Sequence, residues 1–154
     1  MAKKKRTPSS KFKTAVLATP QIQNCFQSGL GALGNYSTKI NLGSVCEGSV
    51  FIDECVEQKY PRDNRWDYTF GYKGESYFVE VHSANTSEVS VMLKKLQWLK
   101  LWLVNNAPEL NKIKAKSNPF IWVASGKYDI LIGSRQHKLI LQSGLNPVSK
   151  LDLK

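Results

Sequence analysis

The sequence lacks the features that mark several protein classes. Its 154 residues include three cysteines (Cys25, Cys46 and Cys55) and two histidines, with no CxxC pair and no spacing typical of a zinc site. No run approaches the roughly 18 uninterrupted apolar residues of a transmembrane helix, and no apolar stretch follows the basic N-terminus as in a secretory signal. These absences predict a cytoplasmic protein with reduced, buried cysteines and no membrane association.

Acidic residues are scarce beside basic ones. The chain carries 22 Lys and Arg against 12 Asp and Glu, a formal net charge of +10. Six of the basic residues lie within residues 1–13, where no acid occurs, so we predict a disordered basic tail over 1–13 and a single domain over 14–154. The charge suits a polyanionic partner, of which nucleic acid is the commonest; a solubilising tail is the alternative.

Two alternating runs around a short turn hold most of the functional information. Residues 66–72 and 75–82 alternate aromatic or β-branched residues with others, and the Lys-Gly pair between them suits a two-residue hairpin turn. Paired residue numbers then sum to 147, so Asp67 faces Glu80. Two facing carboxylates repel by about 3 kcal/mol at an effective dielectric near 20, and a bound divalent cation would offset that cost. An ordinary amphipathic hairpin with its acids in solvent is the alternative.

The remaining patterns predict helices around a central sheet. A helix over residues 43–59 places Glu47 and Glu54 near one face, and a long helix follows the cap residue Asn85. Residues 120–124 form a short apolar run typical of a buried strand, to which the long helix can return the chain in parallel. This order predicts a mixed α/β (α+β) domain with a central mixed sheet flanked by helices.

Asp67 and the tripeptide Glu80-Val81-His82 on the next strand together resemble the motif of the PD-(D/E)XK nuclease superfamily, with His82 in the place of the motif lysine. The segment from Gly43 to Glu47 resembles the start of that superfamily's first helix, which often carries a third acid. The resemblance covers about residues 43–125 and implies the restriction-endonuclease-like fold.

The resemblance implies a metal-dependent nuclease that hydrolyses phosphodiester bonds in DNA or RNA. The metal ligands for Mg²⁺ or Mn²⁺ would be Asp67, Glu80 and Glu47, with Glu54 as the alternative third acid. The catalytic set would be Asp67, Glu80 and His82, with His82 as general base or water-orienting group and Lys94 or Lys95 in the role of the missing lysine. Arg62, Arg65 and the N-terminal lysines would hold phosphates.

Other functions fit the same residues. A nuclease-fold module that binds nucleic acid or a protein partner without cleavage is favoured by the His in the lysine position. A homodimer is a further option, because many small enzymes of this fold pair to cut two strands. A metal-independent ribonuclease using His82 and His137 has no support from their spacing.

Overall fold

The computed structural model describes residues 10–153. Most of the predicted tail over 1–13 therefore lies outside the described residues, but its last three residues belong to helix α1, Lys11–Leu17. Ser10 caps this helix by accepting a hydrogen bond from the Lys13 N–H at 3.0 Å. The folded part of the chain therefore begins before residue 14, because Phe12 is fully buried in the core.

A five-stranded mixed sheet forms the centre of the fold. Residues 10–153 form seven strands, of which β2 to β6 build this sheet and β1 and β7 form a separate small one. In chain order they are β1 Ile40–Leu42, β2 Gly48–Phe51, β3 Tyr68–Tyr72, β4 Glu75–Asn85, β5 Phe120–Asp129, β6 Leu145–Val148 and β7 Leu151–Leu153. The remaining helices are α2 Ile52–Val56, α3 Val89–Asn106, α4 Pro108–Lys112 and α5 Arg135–Ser143. The sheet has the order β2-β3-β4-β5-β6; β2, β3 and β4 are antiparallel, whereas β4, β5 and β6 are parallel. A mixed α/β fold with helices around a mixed sheet is therefore confirmed.

Helix α3 makes the crossover from β4 to the parallel strand β5, as predicted. Its buried stripe includes Met92, Leu96, Leu99 and Leu103. Asn85 stands at the N-cap of the 3-10 turn Thr86–Glu88 that leads into α3, but its side chain makes no capping hydrogen bond, so the predicted cap of the long helix is wrong. None of the helices formed by residues 10–153 combines the length and the apolar character that crossing a bilayer requires.

Different elements pack against the two faces of the five-stranded sheet. Helices α1 and α3 cover the face that includes Phe78 and Trp122. The other face, with Phe70 and Val79, packs against the 3-10 segment Gly31–Lys39 and a small parallel sheet of β1 and β7. In this small sheet, residues 40–42 of β1 pair with residues 151–153 of β7.

The helix predicted over residues 43–59 is wrong. Residues 48–51 instead form β2, which pairs with β3, and only Ile52–Val56 is helical. Val50 and Ile52 are fully buried and the Phe51 ring stacks on Tyr68 with centroids 4.6 Å apart. A continuous apolar run buried in this way does not reveal from its spacing whether it is strand or helix.

The expectation of three reduced cysteines is also wrong. Cys25, in the loop after α1, forms a disulfide with Cys55 of α2, with the two Cα atoms 6.3 Å apart, and Cys46 is free. The pairing depends on how the loop folds against α2, which a separation of 30 residues does not reveal. The cysteines therefore no longer support the predicted cytoplasmic location, because that prediction assumed reduced thiols.

Candidate active site

The β3–β4 hairpin brings Asp67 and Glu80 together. Tyr68 pairs with Val79 in the predicted register, and the turn residues Lys73 and Gly74 have φ of 50° and 77°, as a two-residue hairpin turn requires. Just beyond the ladder, the Asp67 N–H donates to Glu80 Oε2 at 2.8 Å. The two acidic side chains therefore lie beside each other on one face of the sheet.

Backbone N–H groups of two elements hold Asp67, one on its carboxylate and two on its main-chain carbonyl. Its Oδ2 accepts a hydrogen bond from the Val81 N–H at 3.2 Å. The Asp67 carbonyl accepts from the N–H groups of Ile52 at 2.7 Å and Asp53 at 3.3 Å, at the start of α2. The position of Asp67 thus depends on β4 and on α2 together.

Helix α3 places a cation, Lys95, beside the Asp67–Glu80 pair. The Lys95 ammonium donates to Glu80 Oε1, and Glu80 is fully buried between the sheet and the helix. Lys95 lies beside the buried stripe of α3, so its side chain follows the helix surface down to the sheet. The neighbouring Lys94 is exposed, which settles which of the two lysines lies at the acidic pair.

Burial and like charge raise the proton affinity of both acids. Burial, and then repulsion from Asp67, raise the Glu80 pKa to about 8 against the pull of Lys95. Burial also raises the Asp67 pKa, although Lys95 and the Val81 N–H oppose that shift. Burial lowers the Lys95 pKa, but attraction to Glu80 outweighs it and the net shift is upward. The pair therefore retains a proton near neutral pH that an incoming cation would displace.

Glu47, predicted as the third metal ligand, lies elsewhere. Its Oε2 accepts a hydrogen bond from the Gly74 N–H at 2.6 Å, at the turn of the hairpin. The five residues of β3 separate that turn from Asp67, a span of about 20 Å over six residue steps. The prediction placed Glu47 on a helix that the structure replaces with a loop and β2, which is why the side chain reaches the opposite end of the hairpin.

A further acid that acts on the site, Asp53, was missed by the sequence analysis. Asp53 of α2 contributes to the electrostatics of both Asp67 and Lys95, and its carboxylate forms an ion pair with Arg65, with Oδ1 and Nε 2.6 Å apart. Glu54, the alternative third acid, is exposed and lines a separate surface groove beside the disulfide. Recognising Asp53 required knowing that a helix begins at Ile52, and no capping residue signals that start.

His82 lies two residues beyond Glu80 on the same face of β4, but its side chain pairs with a different residue. Its Nε2 is 3.0 Å from Glu88 Oε2 in the 3-10 turn before α3. His137 is placed in α5, where its Nδ1 accepts from the Gly133 N–H at 3.3 Å. Arg65, predicted to hold phosphate, donates from Nη1 to the Tyr60 carbonyl at 2.6 Å besides pairing with Asp53.

The donor set at the hairpin consists of two carboxylates. Among residues 10–153, no three or more His, Cys, Asp and Glu side chains are grouped so that they could hold a metal ion. Mg²⁺ nevertheless binds in many sites through one or two carboxylates, with water and substrate phosphate completing its coordination. Asp67 and Glu80 are hard oxygen ligands of the kind that such an ion takes, and both Glu80 oxygens at present accept hydrogen bonds, one from Lys95 and one from the Asp67 N–H.

Comparison of the chain with family models, with curated proteins and with solved structures finds no match. The functional interpretation therefore rests on the geometry of the site.

Proposed function

We propose that this protein is a metal-dependent nuclease that hydrolyses phosphodiester bonds in nucleic acid, with Asp67 and Glu80 as ligands of Mg²⁺ or Mn²⁺. The observation that carries the proposal is the convergence of two carboxylates and Lys95 at one end of the β3–β4 hairpin. The proposal includes the restriction-endonuclease-like fold. This fold is supported by the antiparallel strands β2, β3 and β4, by the crossover helix α3 and by the parallel strand β5.

The chain's own residues have separate roles in this reaction. Asp67 and Glu80 would hold the divalent ion at the end of the hairpin. Lys95 holds a positive charge at the same point, where it can donate a hydrogen bond to the attacking water or to a phosphate oxygen. His82, with Glu88 as its partner, accepts a proton from water or orients it. When bound, the ion supplies Lewis-acid activation of water and neutralises charge that develops on the phosphate.

Binding and cleavage by the Asp67→Asn variant test the proposal. Mn²⁺ is titrated calorimetrically into wild type, Asp67→Asn and Glu47→Gln, and each protein is then assayed on single- and double-stranded DNA and RNA with Mn²⁺. We expect Asp67→Asn to lose Mn²⁺ binding and all cleavage above background. Glu47→Gln is the matched control, since it neutralises an acid at the other end of the same hairpin, and it should retain both properties. Equal Mn²⁺ affinity in wild type and Asp67→Asn would overturn the proposal.

A binding module without cleavage is the second candidate, favoured by a specific observation. The residue in the motif lysine position, His82, pairs with Glu88, and the predicted third acid lies about 20 Å away along the hairpin. This function predicts salt-sensitive nucleic-acid binding that Asp67→Asn leaves unchanged, with no product from wild type in Mn²⁺ or Mg²⁺.

A further inference from the structure

A pair of large apolar side chains lies in open solvent between β5 and α5. Leu131 is 66% exposed and Ile132 is 87% exposed, while Ile130 before them is buried. Ile132 has the highest exposure of the large apolar residues that the structure describes. We call the segment 130–134 the tip loop.

The tip loop is fixed by hydrogen bonds to its surroundings. The Leu131 N–H donates to Thr86 Oγ1 at 3.3 Å, and the Ser134 N–H donates to the Leu131 carbonyl at 3.2 Å. Ser134 then caps α5 by accepting from the His137 N–H at 3.1 Å. The loop therefore presents its two apolar side chains from a defined backbone position, next to the turn that follows β4.

The tip loop lies at the edge of the sheet where β4 and β5 end, toward which β4 runs from Glu80. Strands β4 and β5 are parallel and Asn85 pairs with Asp129, so the tip loop begins where β4 ends. Glu80 precedes Asn85 by five strand residues, a distance of about 17 Å. Ligands of open α/β sheets bind at this edge, beyond the carboxyl ends of the parallel strands. A nucleic acid that reaches Glu80 would extend to the tip loop after about five nucleotides, at roughly 3.4 Å per nucleotide.

Exposed basic residues flank the tip loop in the sequence. Lys127, Arg135 and Lys138 are exposed within residues 125–138, where Asp129 is the one acid. The wider charge follows the same trend: residues 10–109 contain ten basic and ten acidic residues, whereas residues 110–153 contain seven basic and two acidic residues. This excess suits a polyanion and opposes the apposition of two copies of this surface.

We propose that Leu131 and Ile132 form a wedge that inserts between stacked bases of the nucleic acid that the Asp67–Glu80 site cuts. Apolar wedges of this kind unstack a base step while flanking cations hold the phosphates. Unstacking costs least where the duplex is already mismatched or opened, so the substrate class is distorted duplex rather than regular duplex. The role of this wedge in cleavage rests on the proposed function.

The first test measures binding without metal. A 30-base-pair DNA duplex, fully paired or with a central two-base mismatch beside 2-aminopurine, is titrated with protein in EDTA. Wild type should bind the mismatched duplex about tenfold more tightly and raise its 2-aminopurine fluorescence. L131S/I132S should bind both duplexes within twofold of each other and leave the fluorescence unchanged. Val45→Ser, which alters another side chain that is 85% exposed, is the control and should behave as wild type.

The outcomes separate this proposal from the nuclease proposal. Cleavage in Mn²⁺ about five nucleotides from the mismatch, lost in L131S/I132S, supports both. A mismatch preference without cleavage supports the wedge and refutes the nuclease. Cleavage that L131S/I132S leaves unchanged in site and rate, or an unchanged mismatch preference, overturns the wedge. A change from dimer to monomer in L131S/I132S by sedimentation, with DNA binding unchanged, would assign the pair to a subunit interface instead.

Discussion

The two ends of the β3–β4 hairpin each hold a glutamate, and the two glutamates do different things. At the turn, Glu47 is half-buried and accepts a backbone hydrogen bond from Gly74, which is an ordinary structural use of a carboxylate. At the other end, Glu80 is fully buried beside a second acid and a lysine, and its pKa rises to about 8. A buried acid beside another acid lowers stability, and the proposed function therefore rests on the Glu80 end of the hairpin.

The largest expected effect comes from removing the cation at the Glu80 end. Lys95→Met should lower the unfolding free energy by about 3–5 kcal/mol at pH 8.5, because the variant must either bury a carboxylate without its cation or take up a proton against the solution pH. The loss should be smaller at pH 5, where Glu80 is protonated. Urea unfolding at both pH values measures this. Lys94→Met, next to it and exposed, is the matched control and should stay within about 0.5 kcal/mol of wild type. Equal losses in Lys95→Met and Lys94→Met would show that the Lys95–Glu80 contact does not distinguish the Glu80 end of the hairpin from the turn.

The second prediction concerns pH. The folded pKa of Glu80 lies above its ordinary value of 4.5, so the folded protein binds more protons than the unfolded chain between pH 4.5 and about 8. The contribution of this group to stability is therefore complete at low pH and declines across that range, by at most about 1.4 kcal/mol per pH unit. Urea unfolding at pH 5, 6.5 and 8 should show wild type losing stability relative to Glu80→Gln. Parallel pH profiles for the two proteins would contradict the shift.

A smaller effect is expected at the turn. Glu47→Ala removes the acceptor for the Gly74 N–H, which water can partly replace, so the loss should be about 1 kcal/mol in urea unfolding. Glu57→Ala, an exposed glutamate, serves as the control. Mn²⁺ affinity should be unchanged in both variants; a loss of affinity in Glu47→Ala would place that residue at the site after all.

The smallest effect concerns the turn backbone. Lys73 has φ of 50°, a left-handed conformation that asparagine adopts more readily than lysine. Lys73→Asn should raise the unfolding free energy by about 0.5 kcal/mol, after the loss of the weak contact between the Lys73 ammonium and the Tyr72 ring. Lys59→Asn, at an exposed loop position, should give no gain. Destabilisation by Lys73→Asn would show that the ring contact outweighs the backbone term.

The sequence predicted the parts of the site that depend on local pattern. Alternation of side chains and a Lys-Gly turn were sufficient to place Asp67 beside Glu80, because hairpin register is set within a few residues. The choice between Lys94 and Lys95 required the rotation of α3 against the sheet. Asp53 and the Cys25–Cys55 disulfide were missed because both depend on β2, whose apolar run matched a helix as well as a strand.

The pairing of β1 with β7 has a consequence for the order of events during synthesis. Ile40 pairs with Leu151, so β1 has no partner until the ribosome has added 111 further residues. At a usual elongation rate that delay is roughly 5–20 s, far longer than hairpin formation takes. The β3–β4 hairpin can form during that time, whereas the cover over the face of Phe70 closes last.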